Sequence, residues 1–358
     1  MANTKSILIT VSSITEGSGL SKYVCNLAKV LGDAHFEVSL LTTHSIDIPF
    51  EKKMVEECHI NQYRSFSSYS KFVKYAMVLK YIRSLNPDVI INNYNGVIQY
   101  LLPFLPKSIK IAHVLHSTTP EFYRIATINA KRVNGWVAPT TAMVNDFNAF
   151  TRDKFTDKIS VIPHGVECVL SEEVKPSKIL ELVFVGVLYE HKGAHLLPQI
   201  VKRLKSRGER FHLTIIGGGV LKEQLEHELS DELHNNLVKM TGVISSEDVY
   251  SYLSRANVFI YPTHIDSFGL VIAEAMMNGV VPVVTLLPGI TDNLVDDGGN
   301  GYLIEKDNID KFVETICSLL HNDVLLNQLS DAAILKAKSH FSLRVMQQNY
   351  TNYIENLK

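Results

Sequence analysis

Long apolar runs are missing from this chain. No stretch approaches the roughly 20 apolar residues that a bilayer-spanning helix needs, so no membrane span is predicted. Cysteine is scarce: Cys25, Cys58, Cys168 and Cys317 stand far apart, and no CxxC occurs. That spacing suggests neither a zinc site nor a disulfide scaffold and fits a reducing compartment. The opening "MANTKSILITVSS" has one lysine and an apolar run too short for a signal-peptide core. It reads as a first strand, and the expected location is the cytoplasm. No GxGxxG follows the first strand of either half, which counts against a hydride-transferring dinucleotide enzyme. No strand-end loop carries DxD and no His/Asp cluster offers ligands, so no metal is expected. Short-period repeats and low-complexity segments are absent.

What is present is a soluble-type composition, 46 % hydrophobic and 20 % charged over 358 residues, enough for two domains. The net charge of −2 hides an asymmetry. Residues 1–165 carry 18 Lys and Arg against 12 Asp and Glu, and the remainder 17 against 25. The two halves differ in kind, which suggests different partners.

Short, continuous apolar runs read as fully buried strands at 6–12, 37–43, 88–94, 109–116, 135–140 and 159–165. Helical patterns lie between them, for example 19–34, apolar at Leu20, Val24, Leu27, Ala28 and Leu31. The rhythm restarts with strands at 180–188, 211–219, 237–244, 256–263 and 279–286. Such alternation predicts parallel α/β sheets. The polar, aperiodic segment 166–178, with Pro176, reads as a linker. The tail is helical with a break near 339–342, where Ser342 can cap a last helix.

Loops that follow the strands carry the candidate chemistry. In "THIDSFGLVIAEAMMNGVVPVV" (263–284) a strand ends at Thr263 and a helix starts near Gly269. A helix amino end presents unpaired N–H groups and suits a phosphate, so the amides of Phe268, Gly269, Leu270 and Val271 are candidate donors. Asp266 precedes that helix, and Glu274 lies in its first turns, where a carboxylate can accept from a ribose diol. Spacing alone also allows a loop acid and simple dipole compensation. Lys192 and Gly193 close the loop after the strand 180–188, where a lysine is a point charge for a diphosphate. Gly217, Gly218 and Gly219 follow another strand, and Gly242 and Val243 a third. Ser245 or Ser246 starts the next helix, which plain capping explains. In the first half, Gly17 and Gly19 lie between the first strand and helix, and His116 ends a strand before a polar loop.

Together these stretches resemble the family-4 glycosyltransferases, retaining enzymes of the GT-B fold in bacterial cell-surface polysaccharide synthesis. The similarity rests on "EGSGLSKYVCNLAKVL", His116, "VIPHGV" (161–166), "GVLYEHKG" (186–193) and "DSFGLVIAE" (266–274). It implies two doubly wound Rossmann-like domains facing across a cleft. These are an acceptor-binding domain at 1–165, a nucleotide-sugar domain at 166–340, and a helix at 341–358 crossing back to the first. It also implies roles. Glu274 binds the donor ribose, Asp266 and His116 lie at the sugar, and Lys192 neutralises the diphosphate. The amides of Phe268, Gly269, Leu270 and Val271 hold the sugar and diphosphate. Gly17 and Gly19 pass near the sugar phosphate. Gly217, Gly218, Gly242 and Val243 flank the base. Front-face transfer without metal or cofactor follows, from a UDP-sugar or alternatively a GDP-sugar, to a saccharide or lipid-linked hydroxyl.

Three departures from the family pattern stand out. His164 replaces Asn in the hinge motif, Asp266 replaces Glu, and Val187 stands where the family has Arg. Either Arg255 or Arg124 supplies the missing cation, or the enzyme is slow. The alternative is a weakened, nucleotide-sugar-binding scaffold of another transferase. Residues 63–87 interleave Arg64, Lys71, Lys74, Lys80 and Arg83 with Phe66, Tyr69, Phe72, Tyr75 and Tyr81, without an acid. This segment reads either as a helix lying on the inner face of the plasma membrane or as an ordinary crossover helix with a basic outer face. Neither nucleic acid binding nor an oligomeric state is indicated.

Overall fold

A computed structural model describes residues 4–15, 17–44, 55–58, 60–167 and 179–358. Most of the segment read as a linker, 168–178, lies outside the described residues, as does Cys168. The chain forms two compact units, residues 1–165 with 343–358, and residues 166–342.

The first unit holds a parallel sheet of seven strands: β1 (Ser6–Val11), β2 (Glu37–Thr42), β3 (Gln62–Ser65), β4 (Val89–Asn93), β5 (Lys110–Val114), β6 (Gly135–Ala138) and β7 (Ile159–Val161). Their order is β3-β2-β1-β4-β5-β6-β7. β1, β2, β4 and β5 are buried almost throughout, which is why they read as unbroken apolar runs. β3 was missed. It is a polar, four-residue edge strand, so no apolar run marks it.

The second unit has six parallel strands: β8 (Leu180–Val185), β9 (Phe211–Ile216), β10 (Val238–Gly242), β11 (Val258–Tyr261), β12 (Val281–Thr285) and β13 (Tyr302–Ile304), in the order β10-β9-β8-β11-β12-β13. β13, three residues at the edge, was also missed. In each sheet the order reverses beside its first strand, between β1 and β4 and between β8 and β11. Open α/β sheets bind ligands at such switch points, beyond the carboxyl ends of the strands.

A helix over Asp323–His340 ends short of residues 341–342, and the last helix, Leu343–Asn356, belongs to the first unit. There it packs on the helix Gly19–Asp33, where the Tyr23 and Tyr350 hydroxyls hydrogen-bond in the core. Among the described residues no helix is long and apolar enough to cross a membrane.

One expectation needs correction. Cys25 and Cys58 form a disulfide, with Cα atoms 5.5 Å apart, although 33 residues separate them in sequence. The helix Gly19–Asp33 and the segment before β3 bring them together, which spacing cannot reveal. In the basic helix Lys71–Leu85, Lys74 faces inward, and of the interleaved aromatics only Phe72 is exposed. Phe66 is buried, and Tyr69, Tyr75 and Tyr81 pack against the core.

Candidate active site

In the second unit, the loops after β8 and β11 meet at the switch point, backbone against backbone. A Cβ on Gly193, whose φ is +71°, would lie 1.9 Å from Pro262 O, so only glycine allows this approach. His264 N and Ile265 N donate to His191 O at 2.9 and 3.2 Å, and Thr263 Oγ1 donates to the same carbonyl at 3.1 Å. This packing delivers Lys192 to Asp266 across 74 residues of sequence, with Nζ 2.8 Å from Oδ2 and 3.1 Å from Ile265 O.

Asp266 organises the turn into the helix Leu270–Met277. Its Oδ1 accepts from Ser267 N at 2.7 Å, Phe268 N at 3.2 Å and Gly269 N at 3.0 Å. Its Oδ2 accepts from Lys192 and, at 2.9 Å, from Tyr261 Oη. Burial pushes this carboxyl up, but the Lys192 charge and the bonds from Lys192, Tyr261 and Phe268 outweigh it. They hold Asp266 below the usual carboxylate range. Burial, and then the Asp266 charge, drive the Tyr261 phenol well above its ordinary value. An aspartate has the length to cap the following three amides; glutamate is one methylene longer.

The Phe268 and Gly269 amides are therefore engaged by Asp266. The Leu270 and Val271 amides, first in the helix, donate to no partner among the described residues and point their N–H groups from its positive end. Gly269, at φ +90°, makes the tight entry. Glu274 lies one turn further on and is 5 % exposed.

The glycines after β9 have a structural demand of their own. A Cβ on Gly217, at φ +139°, would sit 1.9 Å from Gly186 O, and Leu188 N bonds to Gly218 O at 2.9 Å. Gly218 is crowded by the Val243 side chain, whereas a Cβ on Gly242 would meet open space. Ser245 caps the helix Ser246–Arg255 through Asp248 N at 3.1 Å, as plain capping predicts. Arg255 ends that helix just before β11 begins, at the amino edge of the sheet and so away from Lys192. Arg124 is exposed on the helix Pro120–Thr127 of the first unit. Val187 is 43 % exposed, and Tyr189, Val220, Val243 and Ile265 are also exposed in loops after β8, β9, β10 and β11. Sequence reading did not anticipate this apolar rim; its only signal is an apolar residue in each strand-end loop.

In the first unit, His116 follows β5 and donates through Nε2 to Asn93 Oδ1, 3.0 Å away, at the end of β4. Its ring lies edge-on to Tyr23, 5.0 Å between centroids, and 5.9 Å from His164, which in turn lies 4.3 Å from Tyr23. Burial, and then His164 and His113, hold the His116 imidazole well below its ordinary value, so the ring is neutral. His164 and Tyr23 were not singled out as neighbours of this histidine. Gly17, at φ +71°, turns the chain into the helix Gly19–Asp33, and a Cβ on Gly19 would meet open space. Ser18 provides no side-chain cap, and that helix starts on the same sheet edge as His116. Among the described residues no group of three His, Cys, Asp or Glu is placed to hold a metal ion.

Comparison with known proteins adds the context. Residues 17–169 match the family Glycosyltransferase Family 4, and residues 170–336 match Glycosyl transferases group 1. An uncharacterized glycosyltransferase of Methanocaldococcus jannaschii is 24 % identical over 87 % of this chain and 88 % of its own length. The capsular polysaccharide biosynthesis glycosyltransferase CapM of Staphylococcus aureus is 29 % identical over 46 % of this chain and 42 % of its own. The crystal structure of Anabaena HepE in complex with UDP-glucose superposes with a TM-score of 0.81, at 18 % identity, over 98 % of this chain and all of that one.

Proposed function

Since the chain belongs to the family-4 glycosyltransferases and has their GT-B fold, we propose that it is a retaining hexosyltransferase that needs no metal. It moves a sugar from a nucleoside-diphosphate sugar to a hydroxyl of a saccharide or lipid-linked acceptor in cell-surface polysaccharide synthesis. The observation that carries this reading is the Lys192–Asp266 pair at the amino end of the helix bearing Glu274.

The open Leu270 and Val271 amides and Lys192 receive the diphosphate. Glu274 accepts from the ribose hydroxyls, and the exposed rim about Val243 covers the base, with Gly217, Gly218 and Gly242 beneath it. Asp266 positions Lys192 and the helix entry, and its carboxylate lies within reach of a sugar hydroxyl. As the bond from the anomeric carbon to the diphosphate oxygen breaks, charge develops on that oxygen, where Lys192 and the helix end stabilise it. The acceptor oxygen bonds to the anomeric carbon on the same face, and its proton passes to the departing diphosphate. In the first unit, neutral His116, held by Asn93, is an acceptor for a sugar hydroxyl, and Gly17 and Gly19 leave room for a phosphate. UDP is the favoured nucleotide, because HepE binds UDP-glucose on the same fold, and GDP is the alternative. The polysaccharide context is supported by the name of CapM.

Val187 supports a second reading, a weakened donor-binding scaffold, because it leaves Lys192 without the family's second cation. Release of UDP from UDP-sugars in EDTA, abolished in Glu274→Ala, separates the two; a wild type that binds UDP and releases none supports the scaffold. The inner face of the plasma membrane is the proposed location. Phe72, 87 % exposed, and Val73 lie on the helix side that also carries exposed Lys80 and Arg83. Flotation with anionic and neutral liposomes tests this, and binding indifferent to anionic lipid would refute it.

A further inference from the structure

The imidazole of His264 joins three strand-end loops of the second unit. It belongs to the loop after β11, shortly before Asp266, and its side chain is 18 % exposed. On one side the ring stands edge-on to His195, 5.4 Å between centroids, in the turn that follows Gly193 and the loop after β8. On the other side Nε2 lies 2.7 Å from Asp307 Oδ1, in the loop after β13. Two bare acceptors do not approach so closely, so a proton lies between them. The N–H is not aligned for a directed hydrogen bond, and the contact is an ion pair, at full strength when the ring is charged.

Asp307 is not spent on the helix that follows it. Asn308 caps the helix Ile309–Leu320, its side chain accepting from Lys311 N at 3.0 Å. Asp307 sits at φ +61°, a left-handed conformation uncommon outside glycine, asparagine and aspartate. In that conformation its carboxylate meets His264 rather than the helix entry.

The loop so held carries an acceptor for Lys192. Lys192 Nζ donates to Asp266 Oδ2, which Tyr261 shares, and to Ile265 O. The two acceptors differ in kind. Asp266 neutralises the ammonium charge, whereas a carbonyl holds the group in place and leaves its charge for a phosphate. The Ile265 side chain is 60 % exposed and gives its loop little packing. Anchorage therefore falls on the polar contacts: His264 N and Ile265 N on His191 O, Thr263 Oγ1 on Ile265 O at 3.0 Å, and the His264 ring on Asp307.

We infer that His264 and Asp307 are positioning residues of the donor site, holding the loop whose Ile265 carbonyl sets Lys192 against the diphosphate. The inference rests on the transfer reading above, in which Lys192 meets that diphosphate. Both residues act through Lys192 and not on the donor itself.

The test is a double-mutant cycle on the full chain, read by calorimetric titration with UDP. His264→Ala is expected to weaken UDP about fivefold in the wild-type background, the size of one lost polar contact. Where Lys192→Met has already removed the ammonium group, the same change should matter less than about twofold. His264→Gln, whose amide can still donate to Asp307, should regain most of the loss. Asp307→Asn alters a side chain that is 55 % exposed. It should weaken UDP as His264→Ala does, and it keeps the test open should His264→Ala fail to fold. Uridine, which lacks the diphosphate, should bind His264→Ala and the wild type alike in NMR titration; a general loosening of the donor loops would weaken both ligands. Equal UDP affinity in wild type, His264→Ala and Asp307→Asn overturns the inference. So does a loss just as large in the Lys192→Met background. A wild type that binds UDP and is indifferent to Lys192→Met overturns the diphosphate role of Lys192, and the inference with it. A wild type that binds no UDP instead removes the transfer reading itself.

Discussion

Replacing Asp266 with alanine should be among the most damaging single changes in the second unit. The carboxylate accepts five hydrogen bonds, three from consecutive amides and one each from Lys192 and Tyr261. The side chains of Lys192 and Asp266 are only 19 % and 13 % exposed, so this is not a solvent-screened surface pair. Breaking a buried pair from one side costs on the order of 3–5 kcal/mol, because the remaining charge and donors are stranded. Lys192→Met should cost less, about 1–2 kcal/mol, since Asp266 keeps its three amides and Tyr261. The double mutant should show a coupling of about 1–3 kcal/mol. Urea unfolding followed by probes in each unit gives all three values. The pH dependence has a definite sign. The Asp266 carboxyl is depressed in the folded state, so its contribution is complete above the unfolded value of about 3.9 and is lost as pH falls through the lower folded value. An Asp266→Ala variant within about 1 kcal/mol of the wild type, the range of exposed pairs, would refute this reasoning.

Gly217→Ala should destabilise by about 3 kcal/mol or prevent folding, because it adds a Cβ 1.9 Å from Gly186 O at φ +139°; a melting temperature within a degree or two of the wild type's would contradict this packing. Val187→Arg is expected to leave stability within about 0.5 kcal/mol of the wild type, because Val187 lies on the surface. It should also tighten UDP binding in calorimetry by restoring a second cation; unchanged affinity would mean that Val187 does not face the diphosphate. His116 should remain neutral in ring nitrogen chemical shifts well below pH 6.5, since burial, His164 and His113 all oppose its protonation. The unfolded chain takes up that proton first, so the first unit should lose stability as pH falls below about 6.5. A His116 that titrates near 6.5 would contradict this environment.

The fold was legible where burial is complete. β1, β4, β8 and β12 announce themselves as apolar runs, and the repeated alternation with helices gives the doubly wound sheets. Edge strands β3 and β13 are short and half-exposed, so no periodic signal separates them from loops. Strand ends were read too long, as at 109–116 for Lys110–Val114, because Leu115 beyond the strand is also buried. At the site, the residue types and their order after each strand were readable, and so was the helix entry at Gly269. That Asp266 spends one oxygen on its own loop amides was not, because the spacing that suggests a ligand also suits a cap. The inward turn of Lys74 and the Cys25–Cys58 bond depend on elements packing side by side, which one-dimensional spacing does not record.

The most direct test of the central claim is a thermal shift with UDP, GDP and ADP, each in EDTA and in magnesium, on the wild type and on Glu274→Ala. At 100 times its dissociation constant, a nucleotide that binds only the folded chain should stabilise it by about 2.7 kcal/mol. The account predicts that UDP does so equally in EDTA and magnesium, and that Glu274→Ala loses the shift. No shift with any of the three, or a shift that requires magnesium, would contradict it.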